Sequence, residues 1–204
     1  WILQEKALIA LDLFKNEINQ QGERGLLSII LNENFNEYGE DRYVYLLYQT
    51  LKGDNINEGY KQCVSKYQLN YVNSEFELSL INENIYEYLE GASAHQIMDG
   101  YHLNNKLYIV QGDGFSDAQN LYNADNSLDF RGKIIAMHDD GTDKKIVVKG
   151  IRNPYSIKPL PKEYDEYERV LATGNGNQLG RLWFSKIPRH DDVNTIDDIL
   201  LFLL

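Results

Sequence analysis

Cysteine is almost absent: the 204-residue sequence holds one, Cys63. That excludes an internal disulfide framework and a cysteine-based zinc site, and it leaves the redox compartment open. Positive charge is scarce as well. Against 31 Asp and Glu stand 20 Lys and Arg, for a net charge of −11. A chain this acidic lacks the clustered cations that a nucleic-acid phosphate backbone requires. No apolar run approaches the roughly 20 residues that span a bilayer as a helix. There is no G-x-x-x-x-G-K-[ST] loop and no G-x-G-x-x-G stretch, so no phosphate cradle is legible. No Ser-His-Asp arrangement can be placed either. No charged n-region or signal-peptide h-region stands ahead of the first strand-like run, and because the sequence does not open on Met nothing about export follows.

What is present is a globular balance, 43% hydrophobic and 25% charged, spread over many short runs with β character. These are Ala7–Phe14, Leu26–Leu31, Tyr43–Tyr48, Lys61–Val72, Phe76–Ile81, Ile85–Leu89, Leu107–Val110, Lys133–His138, Lys145–Lys149, Tyr155–Leu160, Tyr167–Thr173 and Arg181–Ser185. Aromatic and β-branched residues dominate them, as in Tyr43-Val44-Tyr45, and Gly, Asp and Asn separate them. Asp139–Asp143 reads as a hairpin turn, because Asp-Gly tolerates positive φ. Only Ser116–Asn123 reads as a short helix, with Ser116 as its cap. Many short, evenly spaced strands predict an all-β sandwich, barrel or propeller. The sequence ends in an apolar stretch, Asp198–Leu204. We read it as a stop inside a larger fold rather than as a packed terminal helix.

Five collinear segments then point further. Gly22-Glu23-Arg24-Gly25-Leu26-Leu27-Ser28 is followed by Asn34-Phe35 and Tyr43-Val44-Tyr45. Next come His95, with a polar, Gly-containing turn expected after it, then Lys106-Leu107-Tyr108-Ile109 and Gly112-Asp113-Gly114. Asp117-Ala118-Gln119-Asn120 precedes Arg131-Gly132-Lys133-Ile134 and Asp140-Gly141. Gly150-Ile151-Arg152-Asn153-Pro154 is the most specific piece. Leu182-Trp183-Phe184-Ser185 and Asp191-Asp192-Val193-Asn194 form the last and weakest. In this order, over about residues 22–196, they resemble the glucose/sorbosone dehydrogenase family of soluble quinone-dependent sugar dehydrogenases. The resemblance implies a six-bladed β-propeller of four-stranded blades. With blades of about 40–45 residues, residues 1–204 are expected to form one partial propeller domain of about half the blades.

The resemblance also implies a site. A neutral imidazole can accept a hydroxyl proton near neutral pH, and the family's general base falls on His95. Some relatives carry an acidic residue just before this histidine, where Ala94 stands here. The cofactor would be pyrroloquinoline quinone, a planar tricarboxylate, with Arg152 and Asn153 as its contacts. A guanidinium suits paired oxygens, and Pro154 restricts the residue before it. Glu23 falls where some relatives line the sugar pocket. Calcium would seat the quinone through backbone carbonyls of a Glu-His-Gly-Pro stretch. Here that stretch reads Lys186-Ile187-Pro188, which keeps only Pro188 and sets a lysine where it would oppose a cation. Gly112–Gly114, Asp117 and Asp139–Asp143 offer hard oxygen ligands, but read more simply as turns, as does Gly174-Asn175-Gly176.

The expected activity is oxidation of an aldose or related C–OH group, with a periplasmic or extracellular location implied by the resemblance alone. The main alternative is a non-catalytic propeller that binds a glycan or protein through its loops. A third reading, an unrelated all-β domain, would set His95 and Arg152 far apart, whereas the enzyme reading sets both at one end of the propeller. His102, His138 and His190 have no supporting context, and Cys63 reads as a small strand residue.

Overall fold

The computed structural model describes residues 25–36, 39–51, 60–72, 75–91, 95–114, 129–159, 169–175, 180–186 and 200–203. They form three four-stranded antiparallel sheets, each a meander in chain order. The first holds β1 (Leu26–Leu31), β2 (Tyr43–Leu51), β3 (Tyr60–Val72) and β4 (Glu75–Gly91). The second holds β5 (Ile97–Leu103), β6 (Lys106–Gln111), β7 (Lys133–His138) and β8 (Lys145–Lys149). The third holds β9 (Asn153–Pro159), β10 (Arg169–Asn175), β11 (Gly180–Lys186) and β12 (Leu200–Leu203). β5 lies between β1 and β9, so the first strands of the three sheets are neighbours. Three radially repeated four-stranded blades are a partial β-propeller. No helix among the described residues is long and apolar enough to cross a membrane.

The strand sequences are nearly continuously apolar because both faces of a blade are covered. On β6, Leu107 and Ile109 pack toward the first blade, while Tyr108 and Val110 pack toward the third. β7 divides the same way, with Ile135 and Met137 on one side and Ile134 and Ala136 on the other. On β2, Tyr45 and Leu47 face the second blade, and Val44, Leu46 and Tyr48 lie on the opposite face with Cys63. This is strand alternation with two apolar faces instead of one.

The expected strands are largely recovered, with β12 added inside the apolar stretch Asp198–Leu204 and with three further differences. Phe76–Ile81 and Ile85–Leu89 belong to the single strand β4. Asn84 interrupts the pattern with a φ of 51°, and its N–H donates to Ser65 Oγ at 3.0 Å, where the β3–β4 register slips. The polar stretch after His95, with its Asp99-Gly100, is the strand β5 and not a turn. Gly100 is a strand glycine, since a Cβ there would meet Ile30 and the Tyr108 carbonyl. Gly174 and Asn175 still belong to β10, paired with Pro154 and Asn153. The Asp139–Asp143 turn does join β7 to β8, with Gly141 at a φ of 87° and Asp140 Oδ1 accepting from Thr142 N at 2.9 Å. Ala7–Phe14 and Ser116–Asn123 lie outside the described residues.

Cys63 is fully buried, and burial pushes its thiol up to about 12. A rise of that size cuts the thiolate fraction by about a thousandfold. Iodoacetamide at pH 8 is expected to label the native protein slower than the urea-unfolded protein by about that factor. Equal rates by mass spectrometry would show that the β3 environment is open.

Candidate active site

In an antiparallel meander, odd strands begin and even strands end at the same side of the blade. His95 immediately precedes this end of β5, Gly112–Gly114 follows β6, and Arg152–Asn153 opens β9. Blade stacking therefore gathers segments some 60 residues apart in sequence at one end, on or beside the innermost strands.

His95 is buried, and its Nδ1 lies 2.6 Å from Asp113 Oδ1, which is itself buried. With Asp113 as a carboxylate, Nδ1 carries the proton and donates it to Oδ1, which makes Nε2 the acceptor nitrogen of the ring. The backbone reinforces the pair. Asp113 N donates to the Arg152 carbonyl at 2.8 Å, Gly114 N to the His95 carbonyl at 3.3 Å, and Gly112 N to the Gln96 carbonyl at 2.9 Å. Thus His95, Asp113 and Arg152 form one connected unit across two blades. His95 holds a φ of 55°, a left-handed conformation that a non-glycine residue keeps only when its surroundings impose it.

Asn153 is 4% exposed, and its Oδ1 has no hydrogen-bond partner among the described residues. A buried, unmatched amide atom is costly unless something else completes it. Gln62 and Gln111 each have an unmatched buried Nε2 at the same end. Asn175, the last residue of β10, pairs with Asn153 and brings that strand to this end too.

The geometry answers several expectations. His95, Arg152 and Asn153 do come together, which the unrelated-domain reading does not allow. Glu23 and Pro188 lie outside the described residues. Asp113, which the sequence presents as a turn or calcium residue, is the partner of His95. It supplies the carboxylate that Ala94 does not, and the 18-residue separation hides the pairing. Lys186 ends β11 opposite Arg169, whereas Asn175, at the other end of β10, pairs with Asn153. The antiparallel register therefore carries the Lys186 backbone to the end of the blade away from Asn153. Among the described residues no group of three or more His, Cys, Asp or Glu could hold a metal ion. His102 is a packing residue: buried, stacked on Tyr45 at 5.5 Å, and held below the usual histidine range by burial.

Gly112 shows how tightly the unit is packed. A Cβ there would collide with the His95 carbonyl. Gly112→Ala is expected to lower stability by about 1–3 kcal/mol, as overpacking does, and to displace His95. The urea-unfolding midpoint checks it, and an unchanged midpoint would mean that the two segments are not in contact.

Comparison with known proteins agrees with this architecture. Residues 4–174 match the family described as Glucose / Sorbosone dehydrogenase. No curated protein sequence matches the chain. Among solved structures, the chain is similar to a Thermus thermophilus protein provisionally described as an oxidoreductase (glucose dehydrogenase). The TM-score is 0.61 at 16% identity, over 84% of this chain and 50% of that one. The present chain thus spans half the length of that relative.

Proposed function

Since the chain belongs to the glucose/sorbosone dehydrogenase family, we propose that it carries the base and cofactor contacts of a quinone-dependent sugar dehydrogenase. The buried His95–Asp113 pair, tied through the backbone to Arg152, is the observation that carries this reading. An aldose hydroxyl meeting Nε2 would lose its proton to His95. Asp113 stabilises the imidazolium that results and holds the ring in the tautomer able to accept. The C–H bond then breaks with its electron pair, and the aldose becomes a lactone. Pyrroloquinoline quinone, when bound, supplies the two-electron hydride acceptor that this balance needs.

The residues present fit that group. The Arg152 guanidinium suits its carboxylate and quinone oxygens, and the unmatched Asn153 Oδ1, an acceptor, suits its pyrrole N–H. Calcium has no comparable support among the described residues, so no step is assigned to it. The sequence departure at Lys186-Ile187 favours a second reading, a propeller that has lost cofactor chemistry and binds through its loops.

Titrating the full-length protein with the quinone, with and without calcium, separates the two. Saturable binding and aldose-driven dye reduction that His95→Ala abolishes would support the enzyme. A folded protein that binds no quinone would sink that reading and leave the binding module.

A further inference from the structure

The apolar core between the first and second blades ends in a layer of glutamines. Tyr45, Leu47 and Gln49 share a face of β2, Val64 and Gln62 a face of β3, and Leu107, Ile109 and Gln111 a face of β6. The alternation that places apolar side chains between the blades thus places an amide at the next position on three strands. Gln49, Gln62, Gln96 and Gln111 are all fully buried. A layer of leucines would fill the space without burying amide groups, and the amides are incompletely matched: Gln62 Nε2 and Gln111 Nε2 lack partners among the described residues. Packing alone therefore does not account for the layer.

Its hydrogen bonds do. Gln49 and Gln62 stand opposite each other across β2 and β3. Gln49 Nε2 donates to Gln96 Oε1 at 3.2 Å, and Gln62 Oε1 accepts from Ile97 N at 2.5 Å. Gln111 Oε1 accepts from the Tyr86 hydroxyl. The first blade therefore grips, through two amides, the two residues that directly follow His95. The second blade holds the same segment from its other side, through Gly112 N on Gln96 O and Gly114 N on His95 O. A non-glycine residue at a φ of 55° needs such restraint from its surroundings.

We propose that Gln49 and Gln62 are positioning residues that act across the blade interface, holding His95 in the orientation that keeps its Nδ1 on Asp113. The inference rests on the reading of His95 as the base. It adds that the base is built by two blades, with Gln49 and Gln62 of the first blade setting its alignment.

The test uses the full-length protein with nitrogen-15-labelled histidine and needs neither cofactor nor sugar. Wild-type His95 should show a slowly exchanging Nδ1–H signal. Gln62→Met and Gln49→Met keep side-chain length but remove the hydrogen bonds, and each should speed that exchange by about tenfold or more. Gln62→Glu retains an acceptor for Ile97 N and should restore the signal toward wild type. Ser65→Ala removes a buried bond to the Tyr48 hydroxyl and a part-buried bond from Asn84 N in the same blade. It should lower stability yet leave His95 unchanged. If Gln62→Met does not fold, Gln49→Met, which removes the amide-to-amide bond to Gln96, decides the matter. The proposal is overturned if His95 exchange stays within twofold in the methionine variants, or if Ser65→Ala alters it as much. Sugar oxidation that survives His95→Ala would instead remove the base assignment, a result read independently of the exchange rates.

Discussion

His95→Ala is expected to lower aldose oxidation by the full-length protein by about 10²–10⁴-fold, the usual contribution of a positioned base. The loss should fall on kcat more than on KM, because proton transfer belongs to the transition state. Asp113→Asn should cost about 10–100-fold, the usual penalty for losing the partner that orients a histidine. The reason is the tautomer. A carboxylate at 2.6 Å can only accept from Nδ1–H. A carboxamide can turn its NH₂ toward Nδ1, which moves the imidazole proton to Nε2 and removes the lone pair that would take the substrate proton. The two changes should not add: once His95 is gone, Asp113→Asn has no base left to misalign. Stopped-flow dye reduction by the two single variants and the double variant measures this. Turnover within threefold of wild type in His95→Ala would end the assignment, and full additivity would show that Asp113 does not act through His95.

Much of the fold is legible in the sequence because blade strands are short, apolar and bounded by turn chemistry. Lys133–His138 and Lys145–Lys149 are legible to the residue, since Asp139–Asp143 closes them with a turn whose residues accept positive φ. β5 is hidden for the converse reason. Asp99-Gly100 looks like a turn, but its glycine answers close approach by a neighbouring blade, and its aspartate binds two other blades. Neither partner is near in sequence. The site divides in the same way. His95, Arg152 and Asn153 stand in motifs that single segments reveal. Asp113 and the glutamines matter only through contacts between blades, which no local pattern announces. A visible signal does exist, since Gln49 continues the core-facing alternation of Tyr45 and Leu47. A polar residue at a core register position of a strand is a sign, in the sequence itself, that something beyond packing is required there.

Asp99→Ala is expected to lower stability by about 3 kcal/mol, read as the urea-unfolding free energy of the full-length protein. Asp99 sits on the middle of the three innermost strands and accepts hydrogen bonds from both flanking blades. Ser28 Oγ on β1 donates to Oδ1 at 2.9 Å, while Ser156 Oγ and Ile157 N on β9 donate to Oδ2 at 2.8 and 3.1 Å. Lys158 Nζ also reaches Oδ2 at 3.2 Å, but its exposure leaves that ion pair little weight. Alanine would strip an acceptor from three part-buried donors at once. The effect should depend on pH in a definite direction. Burial alone would raise the Asp99 carboxyl, yet the bonds from Gly100, Ile157, Ser156 and Ser28 outweigh it and hold the group below the usual carboxylate range. A lowered folded pKa means that the contribution is complete above the unfolded value of about 4 and fades as pH falls through the folded value. The gap between wild type and Asp99→Ala should therefore be constant from pH 7 to about 5 and narrow below pH 4. A gap under 1 kcal/mol at pH 7, or one that widens in acid, would contradict the account. Asp99 lies four residues beyond His95, and Ser156 three beyond Asn153. One carboxylate thus sets the spacing of the strands from which the base and the candidate cofactor contacts project, so a loss of stability here should also loosen the site.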